Sequence, residues 1–490
     1  MTYRGLQEFL KELERRGDLK RVTEPVSPRL EMAEVAHQTF LRGGPALLFE
    51  DPSGVPALRG RRIPVAMNLF GSERRTALAL GVSRLDEIAE RIRELVQLQP
   101  PKGFVEKLAM LPKLRDLARF PPQVVKGGPC QEVVLRGEEV DLGAIPIVTT
   151  WPRDAGPFVT LPQVVTRDPE TGIRNVGCYR MQVVDRATTL MHWQRHKDGA
   201  HHYDLVRERG ERISVAVALG GDPAAIYSAT APLPPAIDEY LFTGFLRKEP
   251  LRLVKAITCD LEVPAEADLV LEGYVDPSEP LHPEGPFGDH TGFYTSESEY
   301  PAFHVTAVTM RQDAVYPATI VGRPPMEDFW MGHATERIFL PLLQITLPEV
   351  VDYHMPAEGI FHNLVFVSIK KRYPGHAYKV MNGMWGIGLL SLAKLIVVLD
   401  EDVNVRNVQE AWWAALNNID PERDVRFTMG PIDVLDHASR EFSYGSKMGI
   451  DATTKWPEEG FRRSWPEKIA MDPAVKARMA ERMRAWGLEI

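Results

Sequence analysis

Residues 164–184 read Val164-Val165-Thr166-Arg167-Asp168-Pro169-Glu170-Thr171-Gly172-Ile173-Arg174-Asn175-Val176-Gly177-Cys178-Tyr179-Arg180-Met181-Gln182-Val183-Val184. Val164-Val165-Thr166 and the run 173–184 flank an Asp-Pro-Glu-Thr-Gly turn, which predicts two paired strands. Polar Asn175, Arg180 and Gln182 interrupt an otherwise apolar run, so they need buried partners or they line a site. On a regular strand Asn175 and Arg180 face opposite sides, unless Gly177 marks a bulge. Short strands with similar spacing continue from 132 to about 322 and are interrupted by a short helix near 237–247. That is the texture of a barrel or sandwich.

On the N-terminal side, residues 1–98 mix helices and short strands. Leu6, Phe9, Leu10 and Leu13 fall on one helical face before Gly17. Ala46-Leu47-Leu48-Phe49 reads as a buried strand, and Ser72 reads as an N-cap before a helix over 73–80. Residues 85–98 have helical periodicity, and the Pro-Pro and Gly-Gly-Pro breaks within 99–131 mark a boundary. Beyond 323 strand and helix alternate: strand 364–369, helix 374–388, strand 395–399 and helix 405–417, an α/β layer. A terminal helix over 473–486 carries Met479, Met483 and Trp486, a face that docks on its own domain or on a neighbouring subunit.

The 490 residues suit two or three domains. With 44% hydrophobic and 26% charged residues the composition is that of a soluble globular protein. Fifty-eight basic against 67 acidic side chains give a net charge of −9, which argues against nucleic acid or an anionic membrane as partner. Cys130, Cys178 and Cys259 have neither disulfide-framework nor zinc spacing. The N-terminus is charged and amphipathic, unlike a signal peptide, and no run approaches 18 apolar residues. The expected compartment is cytoplasmic.

Residues 284–295, Glu-Gly-Pro-Phe-Gly-Asp-His-Thr-Gly-Phe-Tyr-Thr, place Glu284 and Asp289 five apart among three glycines and a proline. The segment is a shaped loop or bulged strand, either a Gly-Pro turn with solvated acids or an acid pair for proton transfer. His192, His196, His201 and His202 cluster within eleven residues, either as metal candidates or as satisfied loop histidines. Asp238 and Glu239 open the helix near 237–247, where acids also complement the helix dipole. Asn175, His196 and Glu239 together form a mixed oxygen and nitrogen set that suits Mn²⁺ or Mg²⁺ with a phosphate. The calcium-like run from Asp400 lacks glycine at its sixth position and glutamate at its twelfth. No GxGxxG or P-loop is present.

Taken together these segments resemble the UbiD family of decarboxylases over essentially the whole chain. The similarity rests on Gly43 through Glu50, Asn175 through Arg180, Glu284 through Thr295, Gly322-Arg323-Pro324-Pro325, and Lys447 through Thr453 with Lys455-Trp456. The run from His192 to Asp198 and Asp238-Glu239-Tyr240-Leu241-Phe242 look more like the menaquinone branch than the ubiquinone branch. The resemblance implies an α+β protein. Its parts are an N-terminal α/β domain (1–115), a central split β-barrel of flavin reductase type (116–322), a C-terminal α/β domain (323–465) and a terminal helix (466–490). It further implies prenylated FMN, made by a separate flavin prenyltransferase, with Mn²⁺ and often K⁺. By motif match the metal ligands would be Asn175, His196 and Glu239. Cys178, Tyr179, Arg180, His192, Trp193, Gln194, Lys197 and Asp198 would lie along the cofactor, with Lys394 reaching its phosphate. Arg180, Glu284 and Asp289 would form the catalytic trio, and the assembly would be a homo-oligomer, dimer or hexamer.

That assignment is chemically coherent. An aryl carbanion needs an electron sink, which a cofactor supplies. Arg180 would orient the leaving carboxylate, Glu284 would hold Arg180, and Asp289, in a partly apolar pocket, is expected to have a raised pKa and to donate the proton. Met326, Phe329, Trp330, Met331, Phe442 and Tyr444 are candidates for the far wall, or ordinary core. The expected activity is decarboxylation of a small, hydroxylated aromatic acid in quinone synthesis. Its rivals are a plain-FMN oxidoreductase, a non-catalytic assembly subunit and a metal hydrolase.

Overall fold

The computed structural model of the protein describes residues 2–97, 119–194, 197–234 and 237–488. The hairpin expected from the opening sequence is present. Gln163–Arg167 and Arg174–Gly177 pair antiparallel, with Val164 opposite Gly177 and Arg167 opposite Arg174. Asp168 closes the turn by accepting the N–H groups of Glu170 (2.7 Å) and Thr171 (3.2 Å). The apolar run 173–184 is not one strand, however. It stops at Gly177 and resumes as Met181–Val183, which pairs instead with Phe158–Val159 and Thr188–Met191.

That break shapes the central sheet. In order, its strands are Phe158–Val159, Met181–Val183, Thr188–Met191, Ala302–Met310, Leu269–Val275, Ile213–Leu219, Gln163–Arg167 and Arg174–Gly177. Val133–Arg136 is also paired to Ala302–Met310. Arg174–Gly177 and Met181–Val183 therefore lie towards opposite ends of one path, joined only by Cys178, Tyr179 and Arg180. Three residues reach about 10 Å when fully extended. The sheet must curl until its ends nearly meet, the split barrel that was expected, and Arg180 lies at the seam.

Two smaller layers flank it. Leu6, Phe9, Leu10 and Leu13 of helix Leu6–Arg15 are buried, as their spacing predicted. Ser72 caps helix Glu73–Ala79 through the Arg75 N–H. The N-terminal sheet runs Leu19–Val22, Ala46–Phe49, Val65–Met67 and then Tyr316–Pro317, a late segment that returns to complete it. The C-terminal sheet runs Val350–His354, Leu364–Ile369, Leu395–Asp400, Tyr444–Asp451 and Val425–Pro431. Side chains of Leu364–Ile369 alternate between two cores. Val365 and Val367 pack with helix His376–Met384, and Phe366 packs with helix Val408–Asn418. Helix Pro473–Ala485 buries none of its residues. Among the described residues no helix is long and apolar enough to cross a membrane.

Helix Glu327–Thr346, which sequence periodicity did not reveal, ties the layers together. At its start the buried Glu327 carboxylate accepts the Asn68 and Phe70 N–H groups (3.1 and 2.9 Å) and the Thr319 hydroxyl (2.7 Å). Further along, Glu336 Oε1 lies 2.9 Å from the Nδ1 atoms of both His333 and His354 and 3.2 Å from Arg337 Nε. The guanidinium occupies the electrostatic place a metal ion would need, so this His-Glu-His cluster reads as a staple between helix and sheet. Glu327→Ala would leave two buried N–H groups and a hydroxyl without an acceptor. It should lower stability by about 2–4 kcal/mol in urea unfolding; an unchanged unfolding midpoint would show that this junction does not hold the layers.

Candidate active site

Arg180 occupies the seam and is held from two directions. Its Nε and Nη2 donate to the two oxygens of Glu284 at 2.7 and 3.0 Å, and its Nη1 donates to Asp289 Oδ2 at 2.5 Å. The guanidinium lies 4.6 Å from the centre of the Phe287 ring. The Glu284 side chain is fully buried, and Arg180 is 10% exposed. The His192 ring adds its Nδ1 at 3.3 Å from Glu284 Oε2 and packs, tilted, against Tyr300 with ring centres 4.3 Å apart. Burial pushes the Glu284 carboxyl up, but the His192 and Arg180 hydrogen bonds outweigh it and leave the pKa at about 2.

The loop that carries the two acids is built by its own small residues. Strand His282–Glu284 pairs with Ser298–Tyr300, and Gly285 then turns with φ +93°, its N–H on Gln182 Oε1 at 2.8 Å. The Thr295 N–H bonds to Phe287 O and the Asp289 N–H to Phe293 O. A side chain at Gly288 would strike the Trp151 indole, its Cβ 2.2 Å from the ring. The Gly288 N–H instead reaches Asp154, which also accepts from Thr150 and Trp151. Asp289 thus comes to Arg180 by backbone design.

The expected raised pKa of Asp289 is not what the structure shows. Burial acts in that direction, but the hydrogen bond from His290 Nδ1 (2.9 Å) and the Arg180 charge prevail, and the carboxyl lies well below the usual range. Partial burial among apolar walls does not raise a pKa when two cations touch the same carboxylate. His290 carries the compensating shift: burial disfavours its charge, yet Asp289 holds its pKa up at about 9. Its other nitrogen, Nε2, lies 2.8 Å from Nε2 of His362.

A cavity of about 800 Å³ opens from this cluster and is bounded on its other side by Gly388–Leu392, Pro431 and Leu435 of the C-terminal layer. Asn175, Cys178, Tyr179, Arg180, His192, Gln194, Lys197, Asp198, Glu239 and Asp289 all line it. Trp193 does not; it packs under the first turn of helix Asp198–Arg209, against Gly199 and Tyr203. Lys394 is ion-paired with Asp436 at 2.6 Å and is not part of the wall. His196 lies outside the described residues. His202 bonds Thr166 and is buried, while His201 is exposed. Of the six far-wall candidates only Met331 lines the cavity; Phe442 and Tyr444 are exposed.

The cavity's charges fit a phosphate and a cation. Lys197 faces it, burial lowers its pKa, and its ammonium makes no hydrogen bond among the described residues. Glu239 accepts the Val176 N–H at 2.8 Å, and burial pushes its carboxyl up to about 8. An anion against Lys197 and a metal ion against Glu239 would relieve both burdens. Sequence reasoning passed over His290, which stood in the quoted loop beside Asp289 without a role, and His362, for which no sequence signal existed.

Comparison with known proteins places the whole chain in one family. The 3-octaprenyl-4-hydroxybenzoate carboxy-lyase family matches by its N-terminal domain over residues 10–92, its Rift-related domain over 123–324 and its C-terminal domain over 329–452. An uncharacterized protein of Aquifex aeolicus is 54% identical over 489 residues, 99% of each chain. HmfF, a UbiD-class enzyme of Pelotomaculum thermopropionicum solved with FMN, is 29% identical with a TM-score of 0.80, covering 97% of this chain and 99% of its own. An evolved dimeric form of HmfF was solved with prFMN. The vanillic acid decarboxylase of Sedimentibacter hydroxybenzoicus (ShVdcCD) in closed form is 27% identical with a TM-score of 0.85 over the whole of both chains; its open form gives 0.79. The three family domains and these relatives span nearly the whole chain, and the chain is a member of the UbiD family of carboxy-lyases.

Proposed function

We propose that the protein removes CO₂ without oxidation from a hydroxylated aromatic acid, using prenylated FMN and Mn²⁺, in menaquinone or ubiquinone synthesis. The observation that carries this reading is the Arg180 guanidinium, clamped by Glu284 and Asp289 at the rim of the cavity. Prenylated FMN bound there would supply the electron sink that loss of CO₂ from a ring requires. Lys197, Gln194 and His192 would hold it; Asn175, Glu239 and His196 would hold the metal. The names of the relatives support the substrate class: one is a vanillic acid decarboxylase, and the family is described by a prenylated hydroxybenzoate. The motifs 192–198 and 238–242 support the quinone branch, and a flavin prenyltransferase would supply the cofactor.

The chain's own residues then divide the work. Arg180 has five N–H groups. Glu284 takes two, Asp289 one and the Thr295 hydroxyl a fourth at 3.5 Å, so one N–H of Nη1 remains for a substrate carboxylate. Glu284 fixes the plane of the guanidinium, and the second layer, Gln182 and Asp154, fixes the loop. Phe287, Leu389 and Leu392 line the cavity and keep water from the reacting carbon. Asp289, 2.5 Å from Arg180, would stand beside a carboxylate held by that guanidinium, the place from which to protonate the carbon that loses CO₂. Helix Pro473–Ala485, with Met471 and Trp486 beside it exposed, supports assembly as a homo-oligomer.

The first test is the mass of the flavin released from protein co-expressed with a flavin prenyltransferase. Prenylated FMN is expected; plain FMN that NAD(P)H reduces would replace this reading with an oxidoreductase. Asp289→Asn should retain flavin and metal while CO₂ release falls at least 100-fold; near-normal release would take Asp289 out of the mechanism. Glu239→Gln should lose bound Mn²⁺ by elemental analysis, and undiminished Mn²⁺ would remove Glu239 from the ligand set.

A further inference from the structure

Asp289 poses a problem that its own geometry leaves open. A residue meant to give a proton to carbon is held here as an anion, with Oδ2 on Arg180 and Oδ1 taking both the ring Nδ1 (2.9 Å) and the backbone N–H (2.7 Å) of His290. The proton nearest to it is on His290. The other side of that ring meets His362 at 2.8 Å, a residue that enters from the loop before strand Leu364–Ile369 of the C-terminal layer.

We propose that His290 holds the proton that Asp289 hands to the substrate, and that His362 is the positioning residue that keeps His290 charged and turned towards Asp289. This rests on the decarboxylase reading above. When His290 is an imidazolium, its Nδ1–H donates to Asp289 and its Nε2–H donates to the bare Nε2 of a neutral His362. The charges that face the pair fit this state. Asp289, Asp328 and Asp433 lie around His290, and Asp433 and Asp436 around His362, whose own pKa burial and the His290 charge push down. Two consecutive non-glycine residues, Ile360 (φ 55°) and Phe361 (φ 45°), adopt left-handed backbone to deliver His362. Such a conformation persists where the surroundings demand it. The Phe361 ring packs on His290 at 5.4 Å and on Phe329 at 6.3 Å, which fixes the approach.

The proton count balances. His290 Nδ1 first passes its proton to the Asp289 carboxylate, which leaves His290 neutral. After CO₂ has left, the electron pair of the broken C–C bond forms the new C–H bond with that proton, and Asp289 returns to its anion. One proton from water recharges His290 once product has gone. A substrate carboxylate that draws Arg180 towards itself weakens the Arg180–Asp289 bond and so favours the shift from His290 to Asp289.

The test uses full-length protein with ¹³C-labelled histidine rings, His290 being assigned through His290→Gln, and the cofactor-loaded enzyme with hydroxybenzoic and hydroxynaphthoic acids as probes. In the wild type His290 should remain charged to about pH 9. His362→Phe, which removes the acceptor, should lower its midpoint by at least one pH unit. The alkaline limb of kcat should move down by the same amount and kcat fall at least tenfold, with KM within threefold. His362→Gln, whose carbonyl can accept the same hydrogen bond, should restore most of both. A His290 midpoint and alkaline limb unmoved in His362→Phe would overturn the proposal, as would a His290 ring that is neutral at pH 7.5. If the loaded wild type released CO₂ from no probe, the functional reading would fall, and the ring titration would still decide whether His362 controls His290.

Discussion

The Arg180 guanidinium is the constraint around which the rest of the site is arranged. It is buried at the seam of a curled sheet, where an unpaired charge would be prohibitive, so two carboxylates must come to it. One arrives on a short strand, Glu284, and the other on a glycine-shaped loop, Asp289. Each removes the desolvation burden of the other, and both stay ionised as a result. The arrangement makes Arg180 rigid and Asp289 acidic; under the proposed function the first would suit orienting a substrate, and the second would work against protonating a carbon.

His290 and His362 resolve that tension. The trio of Arg180, Glu284 and Asp289 carries one positive and two negative charges, and a charged His290 makes the cluster neutral. In the proposed reaction the proton is thus stored one bond away from the acid that would deliver it. Because His362 belongs to the C-terminal layer, the storage site is complete only where that layer meets the barrel, which is also where Gly388–Leu392 closes the cavity.

The same economy appears elsewhere in the chain. Glu327 and Glu336 are both buried acids on one helix, and each collects donors from a different layer: the Asn68 and Phe70 N–H groups that follow N-terminal strand Val65–Met67 in one case, the His354 ring and the Met355 N–H of the C-terminal layer in the other. Buried carboxylates act as junctions here because each offers several acceptor sites at once. The helix that carries them has a mixed burial pattern for that reason, and its periodicity did not announce it.

Local chemistry in the sequence determined a good deal. The turn at Asp168 to Gly172, the amphipathic face of Leu6 to Leu13, the Ser72 cap and the alternating strands and helices beyond 364 are all governed by contacts within a few residues, and each is present. Motif likeness also named the trio, since its members lie in two short runs. The tertiary structure alone decided the rest. The run 173–184 breaks because a sheet that curls must hand its chain from one end to the other, and no single-strand periodicity contains that demand. Trp193 turns into the core and Lys394 to Asp436 because neighbours distant in sequence claim them. The charge of Asp289 is set by Arg180 and His290, and the ring of His290 meets that of His362, 72 residues away. Hydrogen bonds between buried charges depend on distance in space, and spacing along the chain cannot encode that distance.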